Sequence, residues 1–327
     1  MTKGFVFGKF LPFHLGHKAL IEFGASKCDE LTVLVCASSK ESISSAVRSQ
    51  WISETFLTNP KIKVSVYNYD ESVLPNTSES SRDISKVWAK EFSRLLPDMS
   101  ILFTSEPYGE YVAECMEVHH IPFDNVRSKV SISGSDLRES LYENWQFLPH
   151  SVKLYFQKKV TILGTESVGK STLTDHLSNR FKSSVVHELG RDVIPDSKSF
   201  SVDQLRQIAE GHAQNINVET SQLQPLIIVD TDIHITQSYA KHTFGEYLDF
   251  PQSIYNRNRA DLYLYLNKNV PYIQDGTRLD ENERNKLDIS HRDTLRHFGV
   301  EFEELTGTYE ERNQKAYELV EELVNRF

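Results

Sequence analysis

"KVTILGTESVGKSTLTDHLSNRF", residues 159 to 181, decides the fold of half of this chain. An apolar, β-rich run leads into GTESVGKS at 164 to 171, and a helical pattern follows. The loop fits G-x-x-x-x-G-K-[ST], in which backbone N–H groups and a helix N-terminus surround a polyphosphate. Gly164 and Gly169 shape such a loop, Lys170 reaches the β and γ phosphates, and the Ser171 hydroxyl meets Mg²⁺, with Thr172 beside them at the helix start. A purely structural glycine turn is the alternative, and the strand-loop-helix setting argues against it.

Working outward, the same rhythm continues through SSVVHELG (183 to 190), PLIIVDTD (225 to 232) and DLYLYLN (261 to 267). Upstream, GFVFG, LTVLVCA, IKVSVYNYD and ILFTS alternate with helical patterns in a separate series. Alternating β and α runs build parallel sheets. The expected fold class is therefore α/β, with two doubly wound parallel-sheet domains at 1–155 and 156–327. Between them, YENWQFLPHSVKLYFQKK (142 to 159) reads as a packed connector, and YEERNQKAYELVEELVNRF at the end as a closing amphipathic helix. The serine-rich stretch around 38 to 46 reads as a mobile loop.

At 327 residues the chain can bury two cores. A formal charge of −10 and a pI near 5.7 disfavour electrostatic attachment to nucleic acid or anionic lipid, while leaving room for a local phosphate site. Cys28, Cys36 and Cys115 form neither a disulfide framework nor a zinc motif. With no run long enough to span a bilayer and no signal segment, a cytoplasmic protein is expected, without a membrane partner. A homo-oligomer is compatible with the sequence but not dictated by it.

Glu188 and Arg191 follow the second strand of the C-terminal half, at the carboxyl edge where open sheets bind ligands. Asp230 and Asp232 end a buried strand, and the first carboxylate there commonly holds Mg²⁺, so Asp230 is the metal candidate together with Ser171, while Asp232, like Arg191, is a candidate substrate ligand. Helix caps or surface charges are the alternative for each. Arg278 and Arg284, in or near PYIQDGTRLDENERNK, could supply positive charge from a closing lid, or belong to a solvated charged loop.

In the first half, GKFLPFHLGH (8 to 17) follows the first strand. Gly8 and Pro12 shape the approach to a helix starting near Gly16, so His14 and His17 can face a phosphate at that helix N-terminus. A metal is the lesser alternative, because no Cys or carboxylate lies nearby in sequence. Later, SISGSDLRES (131 to 140) offers Ser133 and Ser135 hydroxyls at a helix start, with Arg138 as a clamp one turn on. Taken alone, it would pass for an ordinary helix cap.

The string of Gly8, Phe10, Pro12, His14, Gly16 and His17, with Ile132, Ser133, Ser135 and Arg138, resembles the HxGH nucleotidylyltransferase superfamily. FTSEPYGEYVA (103 to 113) and the second half, with HELGRD, VDTD and VPYIQDGTR, are similar to the NadR family, over roughly residues 4 to 300. The resemblance implies a Rossmann-like nicotinamide mononucleotide adenylyltransferase domain followed by a P-loop ribosylnicotinamide kinase domain, using ATP and Mg²⁺ on small-molecule substrates and yielding NAD. It implies that His14, His17, Lys9, Ser133 and Arg138 stabilise a triphosphate. Trp88 and Tyr108 become candidate stacking partners for the nicotinamide ring, or simply core. Glu188 becomes an acceptor for the riboside hydroxyl proton or a ribose ligand. Some relatives carry an N-terminal helix-turn-helix repressor domain, for which the motif's start within ten residues of Met1 leaves no room. Ser135 stands where many superfamily members have threonine, which keeps the hydroxyl. Competing expectations are a single-activity enzyme whose other half senses nucleotides, and a nucleotide-responsive regulatory protein.

Overall fold

The computed structural model describes residues 1–76, 81–126, 128–194, 199–270 and 280–325. It divides into two compact units, Met1–Tyr155 and Phe156–Phe327. Each is built on one five-stranded, all-parallel sheet.

The first sheet contains β1 (Lys3–Gly8), β2 (Glu30–Ser38), β3 (Ile62–Tyr69), β4 (Ile101–Thr104) and β5 (His119–Pro122), in the order β3-β2-β1-β4-β5. Residues 31 to 38 of β2 are buried without interruption, because helices cover both faces of a parallel sheet. Edge strand β3 is buried only at its end. Each core Val, Leu or Ile contributes about 1.5–3 kcal/mol on burial. The chain passes from β1 to β2 and β3 on one side, then returns to β4 on the other. That reversal leaves a crevice beyond the carboxyl ends of β1 and β4, where ligands of doubly wound sheets lie.

The second sheet contains β6 (Lys158–Leu163), β7 (Ser184–Val186), β8 (Leu226–Asp230), β9 (Leu262–Leu266) and β10 (Glu303–Leu305), ordered β10-β9-β6-β8-β7. Its core joins Val160, Ile162, Leu173, Leu177, Ile228 and Leu264 to Ala316 and Val320 of the last helix, Tyr309–Asn325. β5 and β10 went unanticipated. Both are short edge strands with largely exposed polar residues, so no apolar run marks them.

Residues 142–155 of the stretch read as a connector pack within the first unit, and Lys158 and Lys159 open β6. Trp145, Leu148 and Val152 are buried, and Ser151 Oγ donates to the Trp51 carbonyl at 3.0 Å. The serine-rich stretch is pinned rather than loose. Ser44 caps the helix Ser45–Thr55, and Glu41 forms a buried ion pair with Arg48 on that helix. Among the described residues no helix is long and apolar enough to cross a membrane.

Candidate functional sites

His14 is the N-cap of the helix Leu15–Lys27, and its Nδ1 accepts the Gly16 N–H at 3.1 Å. With Nδ1 accepting, a neutral ring carries its proton on Nε2 and presents a donor on the opposite edge. A Cβ on Gly16 would lie 2.9 Å from His14 Cε1, so only glycine lets the imidazole fold back onto the backbone. The ring centroids of His14 and His17 are 3.7 Å apart, and Phe10 meets His17 edge-on at 5.0 Å. Phe10 itself holds φ 51°, a left-handed conformation unusual for a bulky residue.

Ser133 caps the short helix Gly134–Glu139 in a capping box with Asp136. Arg138 then ties this turn to the histidine loop, donating from Nη1 to the Leu11 carbonyl at 2.7 Å and from Nη2 to Ser135 Oγ at 2.9 Å. Two motifs more than 100 residues apart in sequence thus share one cavity of about 420 Å³. Gly8, Lys9, Phe10 and His17 line it after β1, and Ser133, Ser135 and Arg138 line it from the later turn. Trp88 and Tyr108 are in its wall as well. His14 lies against His17 with the two rings tilted by 30°.

Sequence reasoning missed Arg48. It is fully buried, donates from Nη1 to the Lys9 carbonyl at 2.8 Å, and pairs with Glu41 Oε2 at 2.7 Å. Glu41 Oε2 also accepts the Ser38 N–H at 3.1 Å, so one ion pair fastens the loops after β1 and β2 together. Removing one partner strands the other charge. Arg48→Met should destabilise the fold by about 3 kcal/mol in denaturant melts. The double variant Arg48→Met/Glu41→Met should recover most of that, falling short by about 1 kcal/mol for the lost Ser38 contact. Equal instability of the single and double variants would show that the pair does not carry the effect.

In the second unit the glycine loop joins β6 to the helix Lys170–Phe181. Gly164 takes φ +140°, and a Cβ there would sit 2.8 Å from the Leu266 carbonyl. Gly169, the N-cap, takes φ +93°. Lys170 Nζ donates to the Thr165 carbonyl at 3.1 Å, across the mouth of its own loop. Ser171 Oγ donates to Asp230 Oδ2 at 2.8 Å, and Asp230 is 1% exposed at the end of β8. Thr172 is exposed on the first turn of the helix. Glu188 lies two residues beyond β7, partly buried.

Two residues sit differently from the sequence-based expectation. Asp232 does not face an open site: it is 2% exposed, caps the helix Ile233–Phe244 through the His234 and Ile235 N–H groups, and pairs with His234 Nδ1 at 2.5 Å. Arg284 is 2% exposed rather than on a lid. Its Nε donates to the Glu166 carbonyl at 2.9 Å and its Nη2 to the Lys268 carbonyl at 3.3 Å, so it braces the phosphate loop from behind. Arg278 lies outside the described residues, as does the Arg191 side chain.

Arg312 from the last helix, 1% exposed, adds a second brace at the Val168 carbonyl, 3.5 Å away. The residues after the second strand also have a neighbour that the motif reading did not include. His212, on the helix Val202–Ser221, is 5% exposed and within electrostatic reach of Asp232 and Glu188; burial holds it neutral by lowering its pKa.

An AAA domain family model matches residues 159–312. The nicotinamide-nucleotide adenylyltransferase of Methanocorpusculum labreanum is 26% identical over 46% of this chain and 88% of its own length. A crystal structure of NadR protein in complex with NAD and AMP-PNP superposes with a TM-score of 0.63 at 24% identity, covering all of this chain and 97% of the other. That likeness establishes the two-unit α/β fold. The trifunctional NAD biosynthesis/regulator protein NadR of Escherichia coli strain K12 is 30% identical over 99% of this chain and 83% of its own length. Because that match spans 99% of the chain, and so both sheets and both phosphate-type loops, the chain belongs to the NadR family.

Proposed function

We propose that the chain is a two-step NAD salvage enzyme. Residues 156–327 phosphorylate nicotinamide riboside with ATP, and residues 1–155 join the resulting mononucleotide to the adenylyl group of a second ATP. The observation that carries this is the presence of two unlike anion sites in one chain: the Lys170–Ser171–Asp230 loop, and the cavity where His17, Lys9 and Arg138 converge.

At the kinase site the 5′-hydroxyl oxygen of the riboside attacks the γ-phosphorus, the bond to the β,γ-bridging oxygen breaks, and ADP leaves. A neutral hydroxyl must lose a proton, and Glu188, partly buried two residues beyond β7, is the proposed acceptor. Ser171 and Asp230 are both hard oxygen donors already in contact, which suits Mg²⁺, an ion that takes few protein ligands and fills its shell with water and phosphate. When bound it would offset charge on the β and γ phosphates. Lys170 swings from the Thr165 carbonyl to the phosphates, while Arg284 and Arg312 hold the loop backbone in place.

At the transferase site the attacking group is a phosphate oxygen, already anionic, so no general base is required. It attacks the α-phosphorus, and the α,β bridging bond breaks to release pyrophosphate. Catalysis there reduces to alignment and charge stabilisation. His14, with its Nε2 proton, His17, Lys9, Ser133, Ser135 and Arg138 are the proposed donors, and Trp88 and Tyr108 the proposed ring contacts.

The direct test incubates wild-type protein with Mg-ATP and either nicotinamide riboside or nicotinamide mononucleotide. NAD should form from both, with pyrophosphate from either and ADP only from the riboside. Failure to phosphorylate the riboside would leave the second unit as a nucleotide sensor.

A further inference from the structure

The second unit has another cavity, of about 1190 Å³, at the end of its sheet away from the phosphate loop. Leu262 and Glu303, the first residues of β9 and β10, border it. Leu266, at the other end of β9, is the residue whose carbonyl lies against Gly164 of that loop. Four strand steps, about 13 Å, therefore separate this cavity from the phosphate loop. Neither proposed reaction uses it.

Its walls are aromatic and fixed. Tyr255, Tyr263, Phe298 and Phe302 line it, with the Tyr255 and Phe298 rings stacked at 5.6 Å. Both tyrosine hydroxyls are engaged: Gln237 Nε2 donates to that of Tyr255 at 2.6 Å, and the Ala260 N–H donates to that of Tyr263 at 3.0 Å. Charge in the lining is one-sided, with Asp249, Asp261, Glu301 and Glu303 set against Arg259. Asp261 accepts the Lys159 N–H at 2.8 Å, but among the described residues Asp249, Glu301 and Glu303 make no side-chain hydrogen bond or ion pair. Burial raises the pKa of the Tyr255 hydroxyl and the Asp249 charge adds to the rise, so that carboxylate is within electrostatic reach of the ring wall.

His234 supplies a polar anchor. It lines the cavity at 7% exposure, and its Nδ1 donates to the buried Asp232 carboxylate, which can only accept. Among the described residues Nε2 makes no hydrogen bond. That atom is an acceptor on the neutral ring and a donor on the charged one, so a carboxamide or a hydroxyl satisfies either form. Paired with Asp232, the ring adds no net positive charge to the cavity. Aromatic faces and unpaired carboxylates both favour a positive charge spread over a flat ring. We propose that this cavity is a second ligand site, for a planar organic cation bearing a carboxamide or hydroxyl group, held by the Tyr255–Phe298 wall, the Asp249 and Glu301 carboxylates and His234.

Isothermal titration of the full chain with 1-methylnicotinamide tests this, with uncharged nicotinamide as its twin. The probe has neither ribose nor phosphate, so neither proposed reaction consumes it. Wild type should bind the cation at least about tenfold tighter than nicotinamide. Asp249→Asn/Glu301→Gln should weaken binding about tenfold and Phe298→Leu several-fold, whereas Glu188→Gln, in the kinase crevice, should leave it unchanged. The double variant alters only exposed side chains, so it keeps the comparison open if F298L folds poorly. Absence of binding, equal affinity for nicotinamide, or an affinity indifferent to the cavity variants would overturn the proposal. Sensitivity to E188Q alone would overturn it too, by placing the probe in the kinase crevice.

Discussion

Lys170→Ala is expected to lower phosphorylation of nicotinamide riboside by roughly 10³-fold while leaving conversion of nicotinamide mononucleotide to NAD at its wild-type rate. The ammonium is the one side-chain cation that the loop itself contributes, and charge on the β,γ bridge grows as the γ-phosphoryl leaves. Losing it removes an interaction stronger in the transition state than in the ground state, so kcat should fall more than the KM for ATP rises. The cost to folding should be small. Lys170 is partly exposed and, among the described residues, donates to the Thr165 carbonyl, a contact worth about 1 kcal/mol. Arg284 and Arg312, which hold the loop, are untouched. The measurement is ADP release with riboside alongside pyrophosphate release with mononucleotide, on protein whose thermal melt matches wild type. Full kinase activity in the variant, or loss of both activities in a folded protein, would overturn the assignment of separate sites.

What could be read from the chain, and what could not, follows from the range over which each residue acts. The glycine loop and the histidine string need particular residue types at fixed local spacing, because backbone N–H groups and a helix start must converge on one phosphate. Both were legible without coordinates. Arg48 and Arg312 were not: their contacts with Lys9 and Val168 span 39 and 144 residues, and nothing local distinguishes a buried bracing arginine from a solvated one. Arg284 is a different case. The helix Glu281–His297 buries Arg284, Leu287, Asp288, His291 and Leu295, a helical repeat that turns the arginine inward, but the surrounding charge density suggested a lid. Asp232 was assigned to substrate because carboxylates at the end of a parallel strand often face ligands. Two residues past β8, however, it meets the free N–H groups of the next helix, and capping takes precedence. Glu106 stood within a stretch singled out for its resemblance, yet its place in one cavity with Lys9 and Arg138 follows from the fold, which brings the three together from distant parts of the first unit.

His17→Ala should have the opposite effect to Lys170→Ala. NAD formation from nicotinamide mononucleotide should fall by about 10²-fold, the scale for removing one positioned donor to developing charge. Supplied with nicotinamide riboside and Mg-ATP, the variant should accumulate the mononucleotide that wild type consumes. His17 lines the cavity while packing against Phe10 and His14, so its loss also leaves a small void, with a stability cost of about 1–3 kcal/mol. A rate effect must therefore be separated from loosened packing. His17→Asn fills part of the void and keeps an N–H donor, so it should recover stability and a fraction of the rate. If catalysis follows charge stabilisation, kcat should drop in the alanine variant while the KM for the mononucleotide changes little, because the proposed ring contacts at Trp88 and Tyr108 remain. A stable His17→Ala protein that still makes NAD at the wild-type rate would exclude His17 from the reaction and leave His14, Lys9 and Arg138 to carry the pyrophosphate charge. A proportional loss of kinase activity in the same protein would instead point to general unfolding, since Lys170, Ser171 and Asp230 belong to a unit with its own sheet and core.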